Sequence, residues 1–333
     1  MNNNSNGLPF RPISAHYKEI FQKKIYKIPV STADSCPNRD GLKGMQTCIF
    51  CDVHGSAAQS EAHTMTLDQQ IEKYSVAIQK KYKANEFLVY FQAYTNTFLK
   101  FSTIKEQFEQ CLKYPFIKGF VVGTRPDCLS PALLNFWQEM GEKYYVSVEL
   151  GVQSFNDKHL EFVKRGHKAQ QSLAAIEKIG QLNSVHLGIH LMFGMPEETD
   201  QEIIDTALLI NSLPISNVKL HNLHVLKHTP LETLFTNGKF LPIEKDDYAR
   251  KMQLFLEHLN PRIFVQRLAA FAPRWEELVS PKWTSDKMGT HQYLIDFLRS
   301  QESYQGKQFI TRTEQERFLQ KEFFRNSNPL SLA

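Results

Sequence analysis

No stretch of about 18 consecutive apolar residues occurs anywhere in the 333-residue chain, which argues against a membrane-spanning helix. The opening residues, 1–7, are polar and rich in asparagine. They lack the apolar segment of a secretory signal, so export is not expected. Cysteine is scarce: the chain has five, an odd number, and three of them fall between positions 36 and 51. That distribution argues against a disulfide framework and for thiols kept reduced in a cytoplasm. Neither sign of charge dominates. The 39 basic and 35 acidic residues leave a net charge of +4, which permits a nucleic-acid partner without requiring one. Internal repeats are missing, and low complexity is confined to residues 1–7. What remains, 42% hydrophobic and 22% charged, is the composition of an ordinary globular protein with ample material for a core.

Taken in order, the chain alternates between two periodicities. Residues 17–21 are expected to form a short helix. Residues 24–31 alternate apolar and polar in the manner of a strand. Leu67, Ile71, Tyr74 and Ile78 then recur at helical spacing behind Thr66, a suitable N-cap. Residues 87–91 are an unbroken apolar run, the mark of a buried parallel strand. A helix is expected over 103–113 with Ser102 or Thr103 as its cap, then a strand 117–122, a helix 131–143 and a strand 145–150. Helices over 156–164 and 169–180 are separated by Arg165-Gly166-His167. A strand 185–193, a helix 200–211 and a strand 217–225 follow. This is close to six strand–helix units, the pattern of a parallel sheet with crossover helices. Pattern alone does not separate an open sheet from a barrel.

Past Leu226 the pattern changes. Tyr248, Met252, Phe255, Leu256 and Leu259 form one helical face, residues 262–267 alternate as a strand, and helices are expected over 288–300 and 313–324. A boundary near Gly238 divides the chain into a tail with a short helix (1–23), a core (24–237) and a C-terminal extension (238–333).

The chemistry concentrates after the first strand, where residues 36–51 read Cys-Pro-Asn-Arg-Asp-Gly-Leu-Lys-Gly-Met-Gln-Thr-Cys-Ile-Phe-Cys. Cys48 and Cys51, two residues apart, can reach one metal centre from a single turn. Cys36 can fold back over a loop softened by Gly41 and Gly44. A structural zinc ion takes four ligands, and His54 is available as the fourth. A cubane iron–sulfur cluster held by three cysteines instead leaves one iron free. Both readings are open on spacing.

The loop resembles that of radical S-adenosylmethionine (SAM) enzymes in its long form, and with Cys-Pro-Asn-Arg-Asp-Gly it is similar to the YhcC/YtqA-type bacterial proteins. These are relatives of the elongator catalytic subunit and of the oxygen-independent coproporphyrinogen oxidases. The resemblance implies an α/β fold, a partial (β/α)6 barrel with an α+β C-terminal extension. It also implies a [4Fe–4S] cluster on Cys36, Cys48 and Cys51. SAM would be chelated to the free iron and cleaved on reduction to a 5′-deoxyadenosyl radical. A flavodoxin- or ferredoxin-type reductant is implied as partner.

In parallel α/β folds ligands sit at the carboxyl ends of the strands, and the resemblance places roles there. Gln92 and Ala93 occupy the turn that presents backbone groups to the SAM amino group, without the glycines the superfamily usually carries. Gly123-Thr-Arg-Pro-Asp-Cys128 matches the elongator-like branch. In it, Arg125 and Asp127 can pair with each other or meet substrate. Cys128 is a candidate hydrogen-atom donor that competes with plain packing, since free cysteine is commonly buried. Cys111, on a helix, reads as core. Gln153 and Arg165 are similar in placement to residues that hold the SAM ribose and carboxylate. A carboxylate in a dry site calls for a guanidinium. Glu149 is a second ribose acceptor or a substrate contact. His190 stands where the oxidases carry aspartate and the elongator branch histidine, and Lys219, His221 and Leu223 share one strand face. The resemblance covers residues 24–231 and implies a cytoplasmic radical SAM enzyme, with a tRNA wobble-uridine side chain as the substrate its kinship points to. Arg262, Arg267, Arg274, Lys282 and Lys287, interleaved with Trp275 and Trp283, are a candidate RNA-binding stretch or a solvated basic surface. The competing class is a non-catalytic zinc module of Cys36, Cys48, Cys51 and His54 that binds RNA or protein.

Overall fold

The computed structural model describes residues 7–43, 47–52, 64–272 and 274–310. Seven strands form one sheet in the order β1 (Ile25–Val30), β2 (Glu86–Phe91), β3 (Ile117–Thr124), β4 (Tyr145–Gln153), β5 (Val185–Phe193), β6 (Asn217–Asn222) and β8 (Phe264–Val265). Each is parallel to its neighbours. Helices connect them: α2 (Leu67–Tyr82), α3 (Phe101–Cys111), α4 (Pro131–Gly141), α5 (Asp157–Phe162) with α6 (Ala169–Gly180), and α7 (Asp200–Asn211). The sheet curls into a partial barrel, the architecture that the family resemblance implies and that the strand–helix alternation left open against an open sheet.

Side chains alternate across a strand, and here the alternation separates two environments. Phe87, Val89 and Phe91 of β2, Phe120 and Val122 of β3, Val146, Val148 and Leu150 of β4, and Val218 and Leu220 of β6 join the core shared with the helices. Phe108 of α3 stacks between Phe91 and Phe120, with ring centroids 5.3 Å and 4.2 Å away. Full burial of each such ring contributes roughly 1.5–3 kcal/mol. The opposite set, which includes Tyr90, Glu149, His190 and Lys219, faces the barrel interior. At the amino ends of the strands that interior is closed by α1 (Ile13–Phe21). There Tyr17 packs with Ile25, Leu88, Val121 and Tyr145, and His16 contacts Phe264 and His186.

Several boundaries differ from the periodicity, for local reasons. Thr66 caps α2 as expected, in a reciprocal capping box with Gln69. α3, however, begins at Phe101 behind Lys100, with no side-chain cap. Phe101 packs edge-on against Phe136, which draws the first turn ahead of Ser102 and Thr103. β4 runs to Gln153 because a register shift lets it continue pairing with Leu191. The alternating stretch 262–267 yields only two strand residues, which nevertheless add a seventh strand to the sheet beside β6. The expected last strand stops at Asn222. Val225–Leu226 (β7) pairs instead with Leu278–Ser280 (β9) in a small antiparallel ribbon.

Beyond the barrel lie α8 (Pro230–Thr236), α9 (Lys245–His258) and α10 (Lys287–Ser300). A helix expected over 313–324 lies outside the described residues. No helix among the described residues is long and apolar enough to cross a membrane.

Candidate active site

At the carboxyl ends of the strands the barrel opens into a cavity of about 980 Å³, whose wall includes Cys36, Cys48, Cys51, Glu149, Gln153, Arg165 and His190. The cysteine loop follows β1 and is pinned by its backbone. Ile49 N–H donates to Val163 and Leu231 N–H donates to Ile49, so residues near β4 and β7 both hold it. Donors surround the sulfurs. Arg39 N–H lies 3.4 Å from Cys36 Sγ, Asn38 Nδ2 3.3 Å and Arg165 Nη1 3.5 Å from Cys48 Sγ, and Arg39 Nη2 3.6 Å from Cys51 Sγ. No three Cys, His, Asp or Glu side chains among the described residues gather as ligands of one metal ion. Separate iron corners of a cubane do not require the sulfurs to meet at one point, as a tetrahedral zinc ion does. His54, the fourth ligand of the zinc reading, lies outside the described residues.

Arg165 follows α5, and its guanidinium lies along β4. Nη2 donates to the Gly151 carbonyl at 2.9 Å, and a Cβ on Gly151 would sit 2.7 Å from that nitrogen. The absence of a side chain at 151 therefore makes room for Arg165. Gly166, at φ +73, packs so closely that a Cβ would meet Asn38 Oδ1 at 2.4 Å, which ties the Arg165 turn to the cysteine loop. Several polar atoms of the cavity wall are buried without a partner, Arg125 Nη1, Asn222 Nδ2 and His224 Nδ1 among them, and Arg165 Nε and Gln153 Oε1 are a pair of these. Buried polar groups are ordinarily satisfied, so this pair is suited to a polar cofactor beside Cys48. Tyr94 lies in the turn after β2 with φ +55, a left-handed conformation that favours glycine, and its ring sits 5.4 Å from the Arg39 guanidinium.

Deeper in the barrel the inward side chains form one buried network. Glu149 Oε1 accepts from Lys27 Nζ at 2.6 Å and Gln266 Nε2 at 2.9 Å. Its Oε2 accepts from Tyr90 at 2.8 Å, His190 Nε2 at 2.8 Å and Lys219 Nζ at 3.3 Å. Burial would raise the Glu149 carboxyl, but Lys219, Lys27 and the His190 hydrogen bond outweigh it and hold it well below the usual carboxylate range. Burial pulls Lys219 down to about 7 against the attraction of Glu149, and pulls His190 down to about 4, with Lys219 adding to the effect. His190 is therefore neutral near pH 7. It donates through Nε2, which leaves Nδ1 as an acceptor.

Cys128 stands apart from these residues. It opens onto a separate depression of about 310 Å³ with Pro37, Leu42, Lys43, Thr97, Phe98 and Asp127, and burial pushes its thiol up to about 11. Arg125 and Asp127 pair with each other through two hydrogen bonds of 2.9 and 3.0 Å. Cys111 is fully buried in the core. The basic stretch of the extension does not form one face. Arg267 turns into the cavity, Arg274 pairs with Asp52 and Glu277, and the Trp283 indole donates to the Ile243 carbonyl, while Trp275 remains 69% exposed.

Lys27, Tyr90, Gln266 and Arg267 are site residues that sequence reasoning left unassigned or placed elsewhere. Lys27 carried a signal, because in the alternation of β1 it falls on the face opposite Ile28 and Val30, which enter the core. Tyr90 sits in an all-apolar run whose two faces look alike. Gln266 and Arg267 fall in the alternating stretch 262–267, but the strand itself ends at Val265, so the alternation does not say which way they turn.

A curled parallel sheet with three cysteines at its carboxyl mouth is the scaffold of a radical SAM enzyme, and the chain belongs to that superfamily. The family model for the radical SAM superfamily matches residues 30–210, and that for the radical SAM C-terminal domain matches 215–299. Its cofactors are accordingly a [4Fe–4S] cluster and SAM. Within the superfamily the chain falls in the YhcC/YtqA-type branch. It is 29% identical to YtqA of Bacillus subtilis, over 92% of this chain and 94% of that protein. It is 30% identical to YhcC of Escherichia coli, over 80% and 85%. Over 38% of this chain and 23% of the other, it is 28% identical to the tRNA uridine(34) acetyltransferase of Methanocaldococcus infernus. Among solved structures, Elp3 of the same archaeon shares the fold, with a TM-score of 0.64 and 16% identity. The match covers 84% of this chain and 64% of that one.

Proposed function

We propose that Cys36, Cys48 and Cys51 carry the cluster, that Arg165 and Gln153 hold SAM, and that the substrate is a tRNA uridine. The observation that carries this reading is the pair of unpartnered buried atoms, Arg165 Nε and Gln153 Oε1, on the cavity wall beside Cys48. When bound, the cluster and SAM supply a carbon-centred radical that takes hydrogen from substrate. The chain's own residues then have distinct tasks. Arg165 presents a fixed guanidinium to the SAM carboxylate. Gln153 Oε1 accepts from a ribose hydroxyl, and His190 offers Nδ1 as a second acceptor. Glu149, with both oxygens engaged, orients His190 and Tyr90 from behind. Asn38 and Arg39 donate to the cluster thiolates. Cys128, outside this cavity, is assigned to packing of the loop.

The tRNA reading rests on the partial match to a protein named tRNA uridine(34) acetyltransferase and on the fold shared with Elp3. The electron donor we propose is a flavodoxin or ferredoxin, and the compartment a reducing cytoplasm in which none of the five cysteines is drawn into a disulfide. Residues 24–237 would form the catalytic core and 238–333 the extension that closes its mouth.

Anaerobic reconstitution tests the assignment. About four irons per chain, and 5′-deoxyadenosine on addition of dithionite and SAM, are expected. Unmodified tRNA from a strain lacking this gene should bind with an affinity that falls steeply with salt. Binding that ignores salt, or no binding, would exclude tRNA.

A further inference from the structure

The cavity wall is strongly one-sided in charge. Among the described residues it includes Arg125, Arg165, Lys219, Arg267 and Lys287, against Glu149 as its one acidic side chain. Most of these cations are accounted for. Arg125 is paired with Asp127 behind the wall, Lys219 shares Glu149 with Lys27, and Arg165 lies against Cys48 and is the proposed anchor of the SAM carboxylate. Lys287, on an exposed helix start, is solvated.

Arg267 is the exception. It follows β8, leans on the buried pair of β6 and the extension, and lines the cavity. Its Nε donates to the Leu220 carbonyl at 3.3 Å, and Nη2 lies 2.6 Å from His221 Nδ1. Both partners are neutral, since burial and then Arg267 itself hold His221 well below its ordinary range. No carboxylate among the described residues lies within 4 Å of Arg267. Arg267 is part-buried on the cavity wall, and a charge held partly out of water is normally paired, because desolvation otherwise penalises it. The thiolates do not supply the missing charge, as their hydrogen-bond donors are Asn38, Arg39 and Arg165. The volume, about 980 Å³, is at the top of the roughly 300–1,000 Å³ range of ligand pockets. SAM at the cysteine end therefore leaves space beside Arg267 for a second molecule.

We infer that Arg267, positioned by His221 and flanked by Lys219, is an oxyanion site that binds a carboxylate or phosphate borne by the substrate. This rests on the reading that SAM occupies the cysteine end. With Nε and Nη2 held by Leu220 and His221, Nη1 is left to donate a charge-assisted hydrogen bond to either oxyanion. Such a contact sets which substrate enters and how it is turned toward the SAM end. Arg267 is thus a specificity residue of this chain.

The test uses reconstituted, SAM-saturated protein under anaerobic conditions. Melting temperature is followed against inorganic phosphate or acetate, each compared with chloride at equal ionic strength. A ligand of the native state raises it by mass action. One of the two anions is expected to stabilise the wild type beyond chloride. Phosphate acting more strongly assigns a phosphorylated substrate and acetate a carboxylate. R267Q should weaken the effect about tenfold, the loss of one charge-assisted pair, and R262Q, on the exposed surface, should keep it. Since removal of a part-buried side chain can unfold the protein, a second measurement uses the wild type alone. The effective anion should slow phenylglyoxal modification of the Arg267 peptide, read by mass spectrometry. No anion-specific stabilisation of the wild type, an equal response in R267Q, or an unprotected Arg267 each overturns the inference. SAM binding is measured in the same samples. Protein that binds SAM but neither anion overturns the oxyanion site alone, whereas protein that binds no SAM overturns the proposed SAM site on which it rests.

Discussion

Arg165 touches Cys48 with one terminal nitrogen and the Gly151 carbonyl with the other, while its Nε has no partner. A side chain so placed contributes to ligand binding more than to folding. Arg165→Gln is therefore expected to weaken SAM binding by about tenfold to a hundredfold, the scale of a lost charge-assisted pair. Iron content should stay near wild type, and equilibrium dialysis with iron analysis checks both halves. Cys48→Ala should lose the cluster outright; iron near the wild-type level in that variant would sink the ligand assignment. With Cys51 as a proposed cluster ligand, Arg39 would act on the cluster's electronics. Its guanidinium faces Cys51 Sγ, and a donor to a cluster sulfur stabilises the reduced, more negative state. Arg39→Leu should move the reduction potential to more negative values in an EPR-monitored titration.

At the scale of single elements, α1 illustrates how a helix can close a barrel and still carry a pH response. His16 is buried against Tyr145, His186 and Phe264, and burial, reinforced by His186, lowers it from 6.5 to about 4. A histidine lowered in the folded state is protonated more readily in the unfolded chain. Its contribution is complete above pH 6.5 and is lost as pH falls from there toward about 4. His16→Phe should flatten that part of the stability–pH curve, measured by urea unfolding. An unchanged slope would mean that His16 does not titrate with folding. In α2, Thr66→Ala removes half of a capping box and should cost about 1 kcal/mol, visible as a lower urea midpoint with an unchanged m-value.

Across the whole molecule the barrel is held from inside by charge as well as from outside by apolar packing. Glu149 joins side chains of β1, β2, β5 and β6 and the segment after β8. Glu149→Gln leaves Lys27 and Lys219 facing each other without a counter-charge and should destabilise the fold by roughly 3–5 kcal/mol. Replacing Lys219 by Met in that background should restore part of the loss. Simple additivity in the denaturation cycle would show that the two residues do not interact.

Much of this was legible in one dimension. Period-two alternation and short apolar runs, set against the 3.6 repeat of the helices, located all six core strands and the helices between them, because burial on one side or both gives each element its own pattern. Cys36, Cys48 and Cys51 stood out by their spacing and Gln153 and Arg165 by the family resemblance, and all five lie on the wall of one cavity. Lys219, His221 and Leu223 share one strand face by alternation, and all three line the cavity. Tertiary structure decided the rest. Arg267 reads in sequence as one of a run of surface cations, and only the pairing of a two-residue strand with β6 turns it inward. Tyr90 and Lys27 find Glu149 across 59 and 122 residues of chain, distances over which no local pattern operates. Cys128 shares a motif with Arg125 yet opens on the other side of the wall. Periodicity specifies which face of an element is buried. Which charges then meet depends on how the sheet curls, and that is a property of the assembled barrel.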